Sequence, residues 1–431
     1  MQFRHVVTSF LESDLGILLL RRSERVGTYH GRWAGVSGYL EPGEDPLQRA
    51  KIEIQEELGL STAQASLARS GEVLRAFDEE KDTVWIVHPF LFEVHEENIR
   101  LDWEHTEYKW VDPDELQLYE TVPKLREVFE RVRWDLQATS LALSKVEGSV
   151  NELAQDRVHG ASYLGQKSIE VLAQVAKASK ASSTAELFHD LLSFALKLRR
   201  AQPSMATTRN LTGMILHKIA AARADSTSQN QFREKVAYLA ETALADAIAA
   251  TEDASRNSVV FLPDEGRVLT HSYSSTVKRA LELAAKSKHR LTVYVTESSP
   301  GLEGKRLAND LINLGIPVRL IADSAVSSVV ADIDLMFVGA DSVLVDGSVV
   351  NKIGTSSIAK AANERGISCY VVCETAKFST QDFLGEPVEI SQALFDVTPS
   401  KYISAIVTEE GPIEPQQVEE RIRKMLSQLY P

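Results

Sequence analysis

Glu53, Glu56 and Glu57 are spaced i, i+3, i+4, which places three carboxylates on one face of a helix. Glu44, just ahead of that helix, can join them. So many negative groups in one place repel one another, and a hard, oxygen-seeking cation, Mg²⁺ or Mn²⁺, relieves the repulsion while keeping positions open for water and phosphate oxygens. The chemistry this suits is metal-assisted attack on a diphosphate. Glu44, Glu53, Glu56 and Glu57 are the candidate ligands, and Glu53 and Glu57 are the candidates to orient or deprotonate water. An isolated ExxEE would be a solvated helix face, but here the flanks are specific. Gly38 and Gly43 bracket a tight loop, Pro46 suits a first helical turn, and Gly59 suits a C-terminal stop. A helix is expected over Pro46 to Leu58.

A second set of candidates lies where buried strands run into helices. "VLTHSYSSTVKRALELA" places His271, Ser272 and Ser274 in such a turn, and "NKIGTSSIAKAA" repeats the device with Asn351, Lys352 and Thr355. Hydroxyls and free N–H groups at a helix start form an anion site. Two phosphate-sized sites are therefore expected at the C-terminal edge of one sheet.

The elements that position these residues fall into three stretches. Residues 1–136 alternate short β-rich runs ("HVVTSFL", "LGILLLRR", "VWIVHPFLFEV", "YKWVDP") with one strongly helical segment, a small α+β unit. Residues 137–254 are rich in Ala, Leu, Lys and Glu with helical periodicity, a layer of four to six helices. Residues 255–431 alternate apolar runs such as "SVVFLP", "LTVYVTES" and "LMFVGAD" with helices, the pattern of a doubly wound, Rossmann-like α/β domain.

With 47 Lys and Arg against 61 Asp and Glu, the net charge of -14 opposes direct nucleic-acid binding, which needs clustered cations. The longest apolar runs are far shorter than the roughly 20 residues of a membrane span, and the N-terminus has no secretory pattern. A cytoplasmic protein is expected. Cys369 and Cys373, the two cysteines of the chain, read as buried core thiols.

The stretch from Gly38 to Leu60 resembles the Nudix box: a glycine, five residues, a Glu, seven residues, then Arg-Glu-apolar-x-Glu-Glu-x-Gly-apolar. The resemblance extends to "LLLRRSERVGTYHGRWAGVSGYLEPGE" before the box and "LDWEHTEYKWVDPDEL" after it. It implies an Mg²⁺-dependent hydrolase of a nucleoside diphosphate derivative or a phosphosugar diphosphate. Ile52 stands where the family has its arginine, which buttresses the first helical Glu through an ion pair. Arg49, one turn before Glu53, has the i, i+4 spacing to supply that pair. Arg21, Arg22 and Arg25 are candidates to hold phosphates, Trp33 to stack on a base or sugar, and Glu107 to add a carboxylate.

The stretches "THSYSSTV", "VYVTESSPGLEGKRLA", "GADSVLVDGSVVNKIGTSSIAKAA" and "CYVVCETAKF" resemble the family of eukaryotic initiation factor 2B alpha, beta and delta subunits, which includes ribose-1,5-bisphosphate isomerase and methylthioribose-1-phosphate isomerase. The isomerases' catalytic Asp corresponds to Asp341 and their Cys to Ser272. A hydroxyl is a poorer acid or base near neutral pH than a thiol. The resemblance also implies binding of a small phosphorylated metabolite, a nucleotide or sugar phosphate, through Arg306, Asp341, Asn351 and Lys352. It implies assembly as a homo-oligomer or with initiation factor 2B-type subunits as well. Three readings stay open: a hydrolase with a phosphosugar- or nucleotide-binding second part, a non-catalytic regulator of the initiation factor 2B kind, and a bifunctional hydrolase and isomerase.

Overall fold

The computed structural model describes residues 1–94, 99–137 and 140–431. The chain forms two compact units, one of Met1–Thr139 with Ser183–His189 and Tyr430–Pro431, the other of Ser140–Ser182 with Asp190–Leu429.

The first unit is built on strands β1 (Gln2–Ser13), β2 (Gly16–Arg22), β3 (Trp33–Ala34), β4 (Val36–Tyr39), β5 (Ala65–Ser70), β6 (Leu74–Asp78), β7 (Thr83–Val94) and β8 (His105–Val111), with helices α1 (Pro46–Leu58) and α2 (Leu125–Arg133). The order is β3-β2-β1-β7-β5, with β4 also paired to β1, β6 to β7 and β8 to β2. β1 and β7 run parallel from Gln2↔Thr83 to Glu12↔Glu93.

The run "LGILLL" is apolar at every position because both faces of β2 are covered. Leu18 and Leu20 pack with Ala50, Ile54 and Leu58 of α1, while Ile17 and Leu19 pack with Val128, Phe129 and Val132 of α2. This is the two-residue side-chain period of a strand. Each fully buried Leu or Phe here contributes about 1.5–3 kcal/mol by leaving water.

Helix α1 begins and ends where its residues direct. The Asp45 carboxylate accepts the Gln48 N–H at 2.8 Å, and Pro46 occupies the first turn, where no N–H is needed. Gly59 sits at φ +70° and returns its N–H to the Gln55 carbonyl, closing the helix in a conformation other residues reach at a cost.

The second unit opens with helices α3 (Ser144–Gln155), α4 (Ala161–Ala178), α6 (Ala206–Ala224) and α7 (Gln229–Ser258), and α5 (Thr184–Ala201) belongs to it from Asp190 onward. It continues through β9 (Glu265–Thr270), α8 (Ser275–Lys286), β10 (Arg290–Thr296), α9 (Glu303–Asn313), β11 (Val318–Ile321), α10 (Val326–Val329), β12 (Leu335–Val338), β13 (Ser342–Val343), β14 (Val349–Lys352), α11 (Thr355–Asn363), β15 (Ser368–Val372), α12 (Thr380–Phe383), β16 (Phe395–Thr398), β17 (Ala405–Thr408), β18 (Gly411–Ile413) and α13 (Val418–Leu426).

The main sheet has the order β11-β10-β9-β12-β15-β17-β18. Its first six strands are parallel and β18 is an antiparallel edge. The order reverses between β9 and β12, which opens a crevice beyond the strand ends. β13, β14 and β16 form a small antiparallel sheet.

One expected strand is absent. "SVVFLP" is the end of α7 followed by a 3₁₀ turn over Val259–Phe261, with Val260 exposed, so α7 runs unbroken through the expected boundary at residues 254 and 255. Cys369 and Cys373 are buried and unbridged as expected, and burial pushes the Cys369 thiol up to about 12. Among the described residues, no helix is long and apolar enough to cross a membrane.

Candidate functional site

In the first unit, α1 lies against β1 and β4 and turns Glu53 and Glu57 inward, both buried, while Glu56 remains on the rim. A cavity of about 450 Å³ is lined by the charged residues Arg22, Arg49, Glu53, Glu56 and Glu104 and by the aromatic residues Tyr29, Tyr39, Phe77, Trp85 and Trp103. Arg49 makes an ion pair with Oε1 of Glu53, as the i, i+4 spacing predicts, and stands 3.9 Å from Oε2 of Glu56.

Glu57 Oε1 accepts the Ser37 N–H at 3.3 Å. Its Oε2 accepts no hydrogen bond and lies 3.7 Å from His105 Nδ1. Burial first, and then the neighbouring Glu53 and Glu104 charges, raise the Glu57 carboxyl well above its ordinary value. Burial also raises Glu53 against the opposing pull of Arg49, and raises Glu104 together with Asp102.

Buried carboxylate oxygens with no internal donor are what a hard cation would satisfy. Among the described residues, no three His, Cys, Asp or Glu side chains are already gathered into a metal-ion site. The donors at hand are the Glu53 oxygen not held by Arg49, Glu57 Oε2, Glu56 and Glu104.

Several expectations are corrected here. Glu44 does not line the cavity: its Oε2 accepts the Glu41 N–H at 2.8 Å within its own loop. Arg21 is outside the cavity, paired with Glu107 at 3.3 Å and donating to the Gly31 carbonyl. Only Arg22 of the two faces in, its Nε donating to the Thr28 carbonyl at 3.0 Å. Trp33 is core, 8% exposed, edge-on to Tyr119, and takes no part in the cavity wall. Glu104 lines the cavity and Glu107 does not; the β2–β8 register slips between Arg21 and Arg22.

In the second unit a cavity of about 540 Å³ gathers Ser272, Ser274, Arg306, Asp341, Asn351 and Lys352, all expected, at the C-terminal ends of β9 and β12. Ser272 sits at φ +66° and donates its N–H to Ser298 Oγ at 2.7 Å. Ser274 caps α8 by accepting the Val277 N–H. The Arg306 guanidinium lies 3.8 Å from the Tyr273 ring centroid. Lys352 pairs with Glu303 at 2.5 Å, and the Asn351 amide donates to Thr355 Oγ1 at 3.2 Å.

Asp341 is half-buried in the cavity wall, and loss of hydration there pushes its carboxyl up to about 6 despite the cations of Lys377 and Lys352. Lys377 is fixed at 3.2 Å from Glu374, which also accepts the hydroxyls of Ser162, Thr251 and Thr276. Burial would raise Glu374, but Lys377 and the hydroxyls outweigh it and hold the carboxyl low.

His271 lies behind the cavity rather than in it. Its Nε2 is 2.9 Å from the Ile353 carbonyl, which can only accept, so Nε2 carries the proton and Nδ1 accepts from Thr296 Oγ1 at 2.6 Å. The second anion seat is also filled by the chain itself: Asp396 of β16 accepts the N–H groups of Gly354 at 2.7 Å and Ser356 at 3.2 Å at the start of α11. The cavity recruits Arg157, His159, Gln202, Tyr273 and Lys377, which sequence reasoning missed. "DRVHGAS" was legible only as a break between helices, although a basic pair beside a glycine at a helix start was there to be read.

Comparison with known proteins agrees with this division. The Initiation factor 2 subunit family model matches residues 157–390, and the NUDIX domain model matches residues 2–132. The chain is 32% identical over 277 residues to a putative translation initiation factor eIF-2B subunit 2-like protein of Pyrococcus abyssi, covering 62% of this chain and 95% of that protein. It is 28% identical over 306 residues to ribose 1,5-bisphosphate isomerase of Haloferax volcanii, covering 66% and 93%. The crystal structure of the Pyrococcus horikoshii translation initiation factor eIF-2B superposes with a TM-score of 0.55 at 29% identity, covering 63% of this chain and 98% of that one. The chain belongs to the Initiation factor 2 subunit family and carries a NUDIX domain at residues 2–132.

Proposed function

We propose that the first unit is an Mg²⁺-dependent hydrolase of a nucleoside diphosphate derivative, and that the second unit binds a phosphorylated sugar or nucleotide. The observation that carries this is the composition of the first cavity, whose lining combines carboxylates and two arginines with five aromatic side chains. The aromatic lining favours a nucleoside over a bare phosphosugar, because a base offers a flat π face to stack and a ribose only a small C–H face. A bound divalent cation supplies charge neutralisation on the diphosphate. Arg22 holds phosphate oxygens, Glu53 and Glu57 hold the cation, and Glu104 or Glu53 takes the proton of the attacking water. Incubation with Mg²⁺ and nucleoside diphosphate sugars, dinucleoside polyphosphates and phosphoribosyl diphosphate tests the reading, with Glu57→Gln as control.

For the second unit we favour binding without isomerisation. Asp341, with its carboxyl near 6, could carry a proton, but the partner position holds the Ser272 hydroxyl, whose proton is far too tightly bound to match it. Titration with ribose 1,5-bisphosphate should show binding with no ketose formed. Ketose formation that Asp341→Asn abolishes would establish the bifunctional reading instead.

A further inference from the structure

We infer that Arg49 is a positioning residue for Glu53, which leaves one carboxylate oxygen of Glu53 presented to the cation; this rests on the hydrolase reading above. Glu53 is held by two neighbours. The Arg49 guanidinium pairs with its Oε1. The backbone of Gly38 is pressed so close to that Oε1 and to the Cδ and Cγ behind it that a Cβ there would overlap them. A carboxylate fixed through one oxygen by a guanidinium, with its stem held against a glycine, has its second oxygen aimed before any cation arrives.

Neighbouring residues leave no other candidate for this role on α1. Ile52 is 44% exposed and adjacent in sequence to Glu53, a spacing that does not face it on a helix. Lys51 and Gln48, the other long side chains nearby, have no contact with Glu53, whereas Arg49 lines the cavity beside Glu53 and Glu56.

The sign of one measurement separates this role from its electrostatic opposite. A guanidinium lodged among carboxylates could simply compete with a metal ion, and removing it would then tighten cation binding. A positioning residue has the reverse effect, because its loss frees Glu53 to rotate. The experiment is titration of the full chain with Mn²⁺, followed by its electron paramagnetic resonance signal, for wild type, Arg49→Met, Arg49→Lys and Glu53→Gln, with circular dichroism confirming the fold of each. Arg49→Met keeps the packed stem and should weaken Mn²⁺ binding about ten- to a hundredfold, the usual effect of losing a ligand's supporting partner. Arg49→Lys, which keeps a charge one turn from Glu53, should recover most of that loss. Unchanged or tighter binding in Arg49→Met overturns the inference while leaving the hydrolase reading standing. No Mn²⁺ binding by wild type overturns both.

Discussion

Arg49 and Glu53 are joined in an ion pair one helical turn apart, with the cation on the cavity wall and the carboxylate buried beneath it. Ile52, next to Glu53 in sequence, is 44% exposed. Gly38 of β4 approaches the same Glu53 carboxylate.

Gly38→Ala should disturb the same carboxylate. The added methyl overlaps Glu53 and must push it off its place. Mn²⁺ affinity should fall about tenfold or more while the far-ultraviolet circular dichroism is unchanged. Wild-type affinity in this variant would show that Glu53 needs no fixed orientation.

Trp103 lines the cavity yet is 57% exposed, so its truncation leaves no core void. If it stacks on a base, Trp103→Ala raises KM for a nucleoside diphosphate substrate by the equivalent of about 1–3 kcal/mol and leaves kcat nearly unchanged. An equal KM effect on phosphoribosyl diphosphate would argue against base stacking.

The Asp341 carboxyl predicts a pH dependence of stability with a definite sign. Its folded value of about 6 lies above the ordinary 3.8, so between those values the folded state holds a proton that the unfolded chain has lost. Stability then falls as pH rises through this window, by about (6 − 3.8) × 1.4, or roughly 3 kcal/mol, and stays lower above it. Asp341→Asn lacks this dependence. By thermal unfolding it should match wild type near pH 4 and exceed it at pH 7.5, and a destabilised variant at pH 7.5 would contradict the assignment.

Glu374 and Lys377 are fully buried together. Lys377→Met strands the carboxylate with only hydroxyl donors and should cost about 3–5 kcal/mol in urea unfolding, and adding Glu374→Gln should recover part of that cost. A loss of under about 1 kcal/mol would mean that the hydroxyls of Ser162, Thr251 and Thr276 alone satisfy Glu374.

Local signals were legible in the residues, and long-range substitutions of one group for another were not. The boundaries of α1 follow from Asp45, Pro46 and Gly59, and the Arg49–Glu53 pair follows from spacing alone. The α11 helix start looked like an open anion seat because Asp396, its occupant, lies forty residues further on and nothing near Gly354 announces it. Glu104, which lines the cavity, precedes β8 and carries no sequence signal that sets it apart from Glu107. A lone Trp such as Trp33 is more often core than a stacking platform, and its burial bears out the commoner case. The aromatic lining comes from three separate strands and two loops, so no window of sequence contains it.

The most direct test of the account is hydrolysis itself. The purified full chain, given Mg²⁺ and a panel of nucleoside diphosphate derivatives, should cleave at least one at the diphosphate and lose that activity in both Glu57→Gln and Glu53→Gln. Silence across the panel, or turnover that survives both substitutions, would contradict it.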